Sequence, residues 1–266
     1  MAEPALVVFG ITGRMGQCVA RALREGSPFR LSGAVASATS SRLGQPAAME
    51  GESSGVIITA DSAAALENAS VAVDFSSSDA VAAHASACAK AGVPILIGAT
   101  GIDASTMAEL KSAAQETAVL IAPNTSVGVA VLHQLVAAAA SGLGPAFEVE
   151  ISEAHHRMKR DAPSGTALSL GERVAAARGQ RLSDVAVHGR HGVSPPRNPS
   201  SIGFAVLRAG DIVGEHTVTF AGAGERLEIT HRASDRMIFA RGALRAAAWL
   251  LGRPPGLYCM QDVLKV

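Results

Sequence analysis

Apolar runs of strand length alternate with alanine-rich segments of helical length through the first half of the chain. They fall at 6–9, 15–25 and 31–36, then at 71–75, 80–91 and 94–97, and finally at 107–115 and 119–121. Parallel strands buried on both faces read as unbroken apolar runs, and helical crossovers join them by right-handed paths. The pattern predicts an α/β fold with a Rossmann-type doubly wound parallel sheet. Past Pro123 the pattern changes. An apolar helix over 127–140 leads to 147–152, where Phe147, Val149 and Ile151 alternate with Glu148, Glu150 and Ser152 at the period of a half-exposed strand. A helix at 165–177, a loop rich in Pro, Arg and Gly at 189–200, and strands near 202–207, 212–220 and 226–231 predict a second, α+β domain with a mixed, largely open sheet. The segment 237–251 carries Ile238, Leu244, Ala248 and Leu251 at helical spacing and is expected to pack back on the first domain.

Composition narrows the class. The 266 residues are 48% apolar, enough for one large core or two smaller ones, so disorder is excluded as the main state. No uninterrupted run approaches the roughly 18 apolar residues of a membrane span, and no membrane partner is expected. Met1 runs almost directly into the apolar 6–9 without a basic region, which argues against a secretory leader and for a cytoplasmic location. Cys18, Cys88 and Cys259 lie far apart and form no CxxC pair, so neither a disulfide framework nor a metal site is expected. Lys and Arg total 23 against 23 Asp and Glu, and this neutrality removes the long-range attraction a nucleic-acid binder needs. A small-molecule partner is the default.

Between the first predicted strand and helix stands Gly10-Ile11-Thr12-Gly13-Arg14-Met15-Gly16. Gly10 permits a tight turn, and Gly13 and Gly16 remove Cβ atoms where backbone approaches a pyrophosphate and where helix approaches strand. The amides at the helix start then attract the anion. The same glycines also suit a plain strand-to-helix turn, but the βαβ context favours a nicotinamide dinucleotide. An acidic residue after the second strand would bind ribose hydroxyls; residues 34–42 hold none, while Ser37, neighbouring hydroxyls and Arg42 can receive a 2′-phosphate. The expected cofactor is NADPH and/or NADH. Gly98, Ala99 and Thr100 end one later strand and Ala122, Pro123, Asn124 and Thr125 another, so both turns are candidate walls of the nicotinamide pocket. The expected division is 1–125 plus 235–266 for dinucleotide binding and 126–234 for substrate binding and oligomerisation.

Five of the six residues from His155 to Arg160 are cationic or can become so. Such a concentration needs water or an anion; adjacent histidines are poorly placed to share a metal. The stretch Pro163-Ser164-Gly165-Thr166 then opens a helix with amides and hydroxyls that can hold a carboxylate. A dicarboxylate would sit between the two. Repulsion among the cations is expected to lower the proton affinity of His155 and Lys159 in the empty site.

Four blocks together resemble the 4-hydroxy-tetrahydrodipicolinate (dihydrodipicolinate) reductase family: 10–16; 98–101 with 122–128; the segment EAHHRMKRDAPSGTA at 153–167; and 201–231, which contains GDIVGEHT. The resemblance implies His155 as general acid/base and Lys159 as proton donor, with His156, Ser164, Gly165 and Thr166 holding the substrate. It further implies loss of water and reduction of a cyclic dicarboxylate to tetrahydrodipicolinate in lysine and diaminopimelate synthesis, by a cytoplasmic homotetramer. The chain departs from the family pattern with Ser37-Ala38 for a common Glu-Arg pair, which bears on cofactor preference, and Ala99 for a common Thr. Three rival readings are another two-domain Rossmann oxidoreductase such as an amino-acid dehydrogenase, a non-catalytic NAD(P)-responsive regulator, and a hydrolase using Ser164 and His155. The last lacks a nucleophile-elbow pattern.

Overall fold

The computed structural model describes residues 3–49 and 52–264, so Met1, on which the reading of the chain's start rests, lies outside the described residues. The chain divides into two compact units: Met1–Val127 with Arg236–Val266, and Gly128–Asp235.

The first unit begins with β1 (Ala5–Phe9), α1 (Arg14–Arg24) and β2 (Arg30–Val35), followed by the hairpin β3 (Pro46–Met49) and β4 (Glu52–Thr59) and the short α2 (Ser62–Leu66). Next come β5 (Val71–Asp74), α3 (Ser78–Ala91), β6 (Ile95–Ile97), α4 (Ala104–Ala113) and β7 (Ala118–Ile121). The sheet runs β13-β7-β6-β5-β1-β2-β4-β3, with β13 (Gly256–Cys259) added from the C-terminal segment. Every pairing is parallel except β3 with β4. All five residues of β1 and all four of β5 are buried, as two-sided coverage requires. The order reverses between β1 and β5, and ligands of open α/β sheets bind outside the carboxyl ends of the strands at such a switch point.

In the second unit, the helix α5 (Val127–Leu143) leads into β8 (Glu148–His155), α6 (Gly165–Ala177), the short α7 (Leu182–Val185) and β9 (Ala186–Val187), then β10 (Ile202–Arg208), β11 (Gly214–Ala221) and β12 (Arg226–Ala233). The sheet order is β12-β11-β8-β10-β9. β10 runs parallel to β8 and β11 antiparallel, so the sheet is mixed. Leu132 and Val136 of α5, Leu170 and Val174 of α6, and Val149, Ile151, Phe204, Val218 and Phe220 of the sheet form its core. α5 with the turn after it is, by length and composition alone, apolar enough to cross a membrane. It is not an uninterrupted apolar run, because Gly128, His133, Gln134, Ser141 and Gly142 break it. Leu132, Val136 and Ala140 nevertheless belong to the core of this unit.

The chain ends with α8 (Met237–Leu250), β13 and α9 (Met260–Val263). α8 packs on α1, β5 and β6 as expected, but mainly through Met237, Ala240, Ala243, Leu244, Ala247 and Leu250; of the stripe read from the sequence only Leu244 is buried, while Ile238 and Leu251 are half-buried and Ala248 is exposed. The sequence pattern does not anticipate the β3–β4 hairpin, whose Pro, Ser and Gly residues mask any alternation, the four-residue β13 directly after a Pro-Pro pair, or the short elements α2, α7, β9 and α9. The strand expected from 212 starts at Gly214, because the chain turns at Gly210 with φ +50°.

Candidate active site

At the switch point, the three glycines of the first turn do different things. Gly10 has φ +74°, and a Cβ there would stand 2.7 Å from the Phe75 carbonyl oxygen and 2.8 Å from the Ser76 amide. A Cβ on Gly16 would overlap the Gly10 carbonyl and lie 2.7 Å from Ile11 Cα. Gly13 has ordinary backbone angles, is exposed, and would bring a Cβ no nearer than 3.2 Å to the Gly10 oxygen. It is the N-cap of α1 and offers no side-chain cap, so the helix start is open toward an anion. Ile11 is buried and its amide, like that of Gly10, donates to the Val35 carbonyl; Thr12 and Met15 are half-buried, and Arg14 is exposed.

The neighbouring strand ends are more closely packed than the sequence suggests. A Cβ on Gly98 would strike the Phe75 ring, and Ala99 and Ala122 are buried. Asn124 accepts the Ser126 amide, and the buried Thr125 donates its hydroxyl to the Phe239 carbonyl of α8 at 2.7 Å. Thr125 therefore braces α8 with its hydroxyl hydrogen. Beside them, buried Asp74 accepts the Ser76 amide and meets His84 Nδ1, both at 2.8 Å, and the His84 ring stacks on Phe9; sequence reasoning missed this pair. After β2, the exposed Ser37 hydroxyl meets that of Thr39 at 3.0 Å, with the half-buried Arg42 in the same loop.

In the second unit, the alternation of β8 does not stop at Ile151. Glu153 and His155 occupy the next two inward positions and are buried. Strand period two puts them on one face, and His155 Nδ1 lies 2.6 Å from Glu153 Oε2. Arg208, at the end of β10, donates to both oxygens of Glu153 at 2.7 and 2.8 Å, and the Ser164 amide adds a third donor group at 3.0 Å. Burial opposes ionisation of Glu153, but the bonds from Arg208, His155 and Ser164 hold its carboxyl below the usual carboxylate range. Burial is also the main influence on His155, and it outweighs the attraction of Glu153: with help from the Lys159 and Arg208 charges, it keeps the ring below the ordinary histidine value. A neutral ring whose Nδ1–H faces a carboxylate presents its lone pair at Nε2, which lies against Gly214.

Lys159 follows in a turn whose amide donates to the His156 carbonyl, and its ammonium is paired with Asp161 at 2.8 and 2.9 Å. The expectation that repulsion among cations dominates here omitted Glu153 and Asp161. Ser164 is buried; its hydroxyl caps the Ala167 amide and meets His216 Nε2 at 2.9 Å. Burial pushes His216 down to about 3, so it stays neutral. The Ser164 hydroxyl thus has two partners within the fold, while Gly165 is exposed at the start of α6, Thr166 is half-buried beside it, and His156 is half-buried just after β8. The structure therefore brings His155 and the start of α6 together on Glu153, with Lys159 tied to them through Asp161, whose carbonyl accepts from Arg208, and with Arg208 and His216 as members that the sequence pattern does not mark.

The N-terminal family model of dihydrodipicolinate reductase matches residues 5–125, and the C-terminal model matches 128–264. The chain belongs to the dihydrodipicolinate reductase family. It is 49% identical over 260 residues to the 4-hydroxy-tetrahydrodipicolinate reductase of Thiobacillus denitrificans, covering 97% of each chain. It is 47% identical over 265 residues to that of Herminiimonas arsenicoxydans, covering 99% of each. A solved dihydrodipicolinate reductase from Paenisporosarcina sp. TG-14, with dipicolinate bound, superposes with a TM-score of 0.77 at 20% identity over 98% of this chain and 99% of that one. An amine dehydrogenase from Mycobacterium smegmatis reaches 0.62 at 15% identity, over 97% of this chain and 95% of that one, and carries only the fold. In this oxidoreductase family, then, the Rossmann-type sheet and the mixed sheet described above are the common frame.

Proposed function

We propose that the chain reduces 4-hydroxy-tetrahydrodipicolinate to tetrahydrodipicolinate, with loss of water, in lysine and diaminopimelate synthesis, using NADPH or NADH. What carries the reading is the buried Glu153 carboxylate, which holds His155 and the Ser164 amide at the start of α6, with Lys159 near enough for its charge to act on His155, in a chain of this family. A planar dicarboxylate fits a site with imidazole and ammonium on one side and helix amides at Gly165 and Thr166 on the other. His156 adds a further donor.

The turn at 10–16 suits a dinucleotide pyrophosphate, because Gly13 is open, the start of α1 is uncapped and no acidic side chain stands at 34–42. Gly10 through Gly16 would carry the phosphates, Ser37 and Arg42 the adenosine ribose or its phosphate, and the backbones of Gly98–Thr100 and Ala122–Thr125 the nicotinamide end. The cofactor, when bound, supplies a hydride. The chain's own groups manage charge and protons: Lys159 Nζ holds a substrate carboxylate and delivers a proton to the carbon left electron-rich, and His155 Nε2 exchanges a proton with the substrate or water. Cytoplasmic location and homotetramer formation through the second unit belong to the same proposal.

The test follows NADPH and then NADH absorbance while the substrate is generated in situ by the preceding condensation enzyme. Oxidation that depends on that substrate is expected, and the ratio of the two runs gives the cofactor preference. Absence of oxidation with both cofactors refutes the reading.

A further inference from the structure

His155 lies at the end of a chain of buried polar contacts that fixing a strand end alone does not require. Its Nδ1 touches Glu153 Oε2; Glu153 Oε2 also accepts from Arg208 Nη1, and Glu153 Oε1 from Arg208 Nη2 and the Ser164 amide. Arg208 Nη2 further donates to the Asp161 carbonyl at 2.6 Å, which ties this chain of contacts to the residue paired with Lys159. The Glu153 side chain is 1% exposed and the His155 side chain 11%. An ionised carboxylate accepts and never donates, so its contact selects the imidazole tautomer with the proton on Nδ1. Edge-on contact with the His216 ring at 5.1 Å and the missing side chain at Gly214, where a Cβ would stand 3.0 Å from Nε2, fix the plane of the ring.

We propose that Glu153 is a positioning residue for the reductase reaction, holding His155 with its Nδ1–H inward and its Nε2 toward Gly214, while Arg208 and the Ser164 amide hold the carboxylate in place. This rests on the functional reading above. The charged and titratable groups around the His155 ring are Glu153 on its own strand, Lys159 after it, Arg208 on β10, and His216 on β11 with His231 behind it on β12. Among these, Glu153 supplies the contact that raises the ring's proton affinity.

Glu153→Gln separates this role from simple packing. Oε1 accepts from two groups that can only donate, Arg208 Nη2 and the Ser164 amide, whereas Oε2 accepts from one such group, Arg208 Nη1, besides the His155 ring, which can change tautomer; the glutamine carbonyl therefore takes the Oε1 place, its amide group faces His155 Nδ1, and Arg208 Nη1 loses its acceptor. That arrangement selects the opposite tautomer, with the proton on Nε2. For a folded Glu153→Gln protein the expected results are a fall in kcat of roughly 10- to 100-fold, KM near the parent value, and the pH-profile inflection governed by His155 moved to lower pH. Glu153→Asp, which keeps two acceptors, recovers part of kcat. Imidazole 15N shifts of the resting protein, assigned by difference against His155→Gln, should show Nδ1 protonated and Nε2 bare in the parent chain and the reverse in Glu153→Gln. Parent kcat and inflection in Glu153→Gln, or a parent ring protonated at Nε2, overturns the proposal; if the variant does not fold, the parent spectrum decides alone. Failure of the parent chain to oxidise either cofactor overturns the functional reading instead, and the spectrum still decides the Glu153–His155 arrangement.

Discussion

Replacing each glycine of the first turn by alanine distinguishes those the fold needs from the one a ligand needs. At Gly10 the new methyl meets backbone on both counts: φ +74° is a left-handed conformation, and Phe75 and Ser76 stand 2.7–2.8 Å from the Cβ position. The left-handed conformation costs about 1–2 kcal/mol for a residue with a Cβ, and forced overlap in a packed region about 1–3 kcal/mol more. Gly10→Ala should therefore lose about 2–5 kcal/mol. Gly16→Ala gains about 1 kcal/mol of helix propensity, but its methyl overlaps the Gly10 carbonyl, and the net effect should still be destabilising. Gly13→Ala meets the Gly10 oxygen at 3.2 Å, which a slight shift relieves, so its stability should stay within about 1 kcal/mol of the parent. If Gly13 is where backbone approaches a pyrophosphate, the same methyl should weaken dinucleotide binding at least tenfold. Urea denaturation by circular dichroism measures the first quantity, and calorimetric titration with NADPH the second. A Gly10→Ala protein as stable as the parent, or a Gly13→Ala protein that binds normally, refutes the assignment.

Other expectations concern the second unit. Lys159 is paired with Asp161, whose side chain is 60% exposed, so Lys159→Ala should change stability by no more than about 1 kcal/mol while lowering kcat by roughly 10²- to 10⁴-fold; urea melts and steady-state rates read the two separately. Arg208→Met strands a carboxylate that is 1% exposed and should cost about 3–5 kcal/mol in the same melts, far more than removal of the exposed Arg226, which faces Glu228 on its own strand. His216 titrates at about 3 against an ordinary 6.5, so the unfolded chain takes up its proton first as pH falls. The stability that neutral His216 contributes is complete above about 6.5 and is lost progressively toward 3. His216→Gln should flatten the stability profile between pH 6 and 4 by up to about 1.4 kcal/mol per pH unit, and an unchanged slope contradicts the assignment.

The sheet of the first unit was legible because its signal is local. Unbroken apolar runs such as 6–9 and 95–97 exist because both faces of those strands are covered, and the glycine turn is marked by Gly10 and Gly16, whose missing side chains leave room for particular neighbours, and by the open Gly13. The edge strands β3 and β13 were not legible, since such strands carry little apolar patterning and are defined by whichever backbone they pair with, and β4, inside β3, is masked by the Ser-Ser-Gly at its start. Thr125 and Ser164 show a different limit. A hydroxyl at a strand end or helix start is an equally good ligand donor or structural cap, and only the position of Phe239 in one case and of Ala167 and His216 in the other shows that both hydroxyls hold contacts within the fold.

The period-two pattern of β8 extends past its apolar residues to two buried polar ones. Phe147, Val149 and Ile151 define an inward register, and continuing that register by two steps each time reaches Glu153 and then His155, so the sequence alone puts an acid and an imidazole on the face that also holds the core. A buried carboxylate is costly without partners, so such a register demands a cation from a neighbouring strand. The parallel pairing of β8 with β10 sets Arg208 opposite His155, two steps from Glu153 along the strand, and the guanidinium reaches back to both of its oxygens. That pairing joins residues 55 positions apart, and no spacing rule within a strand or helix encodes it. The acid and the imidazole are therefore readable from strand periodicity, whereas the arginine that keeps the acid charged is set by sheet topology and emerges only when the strands are assembled.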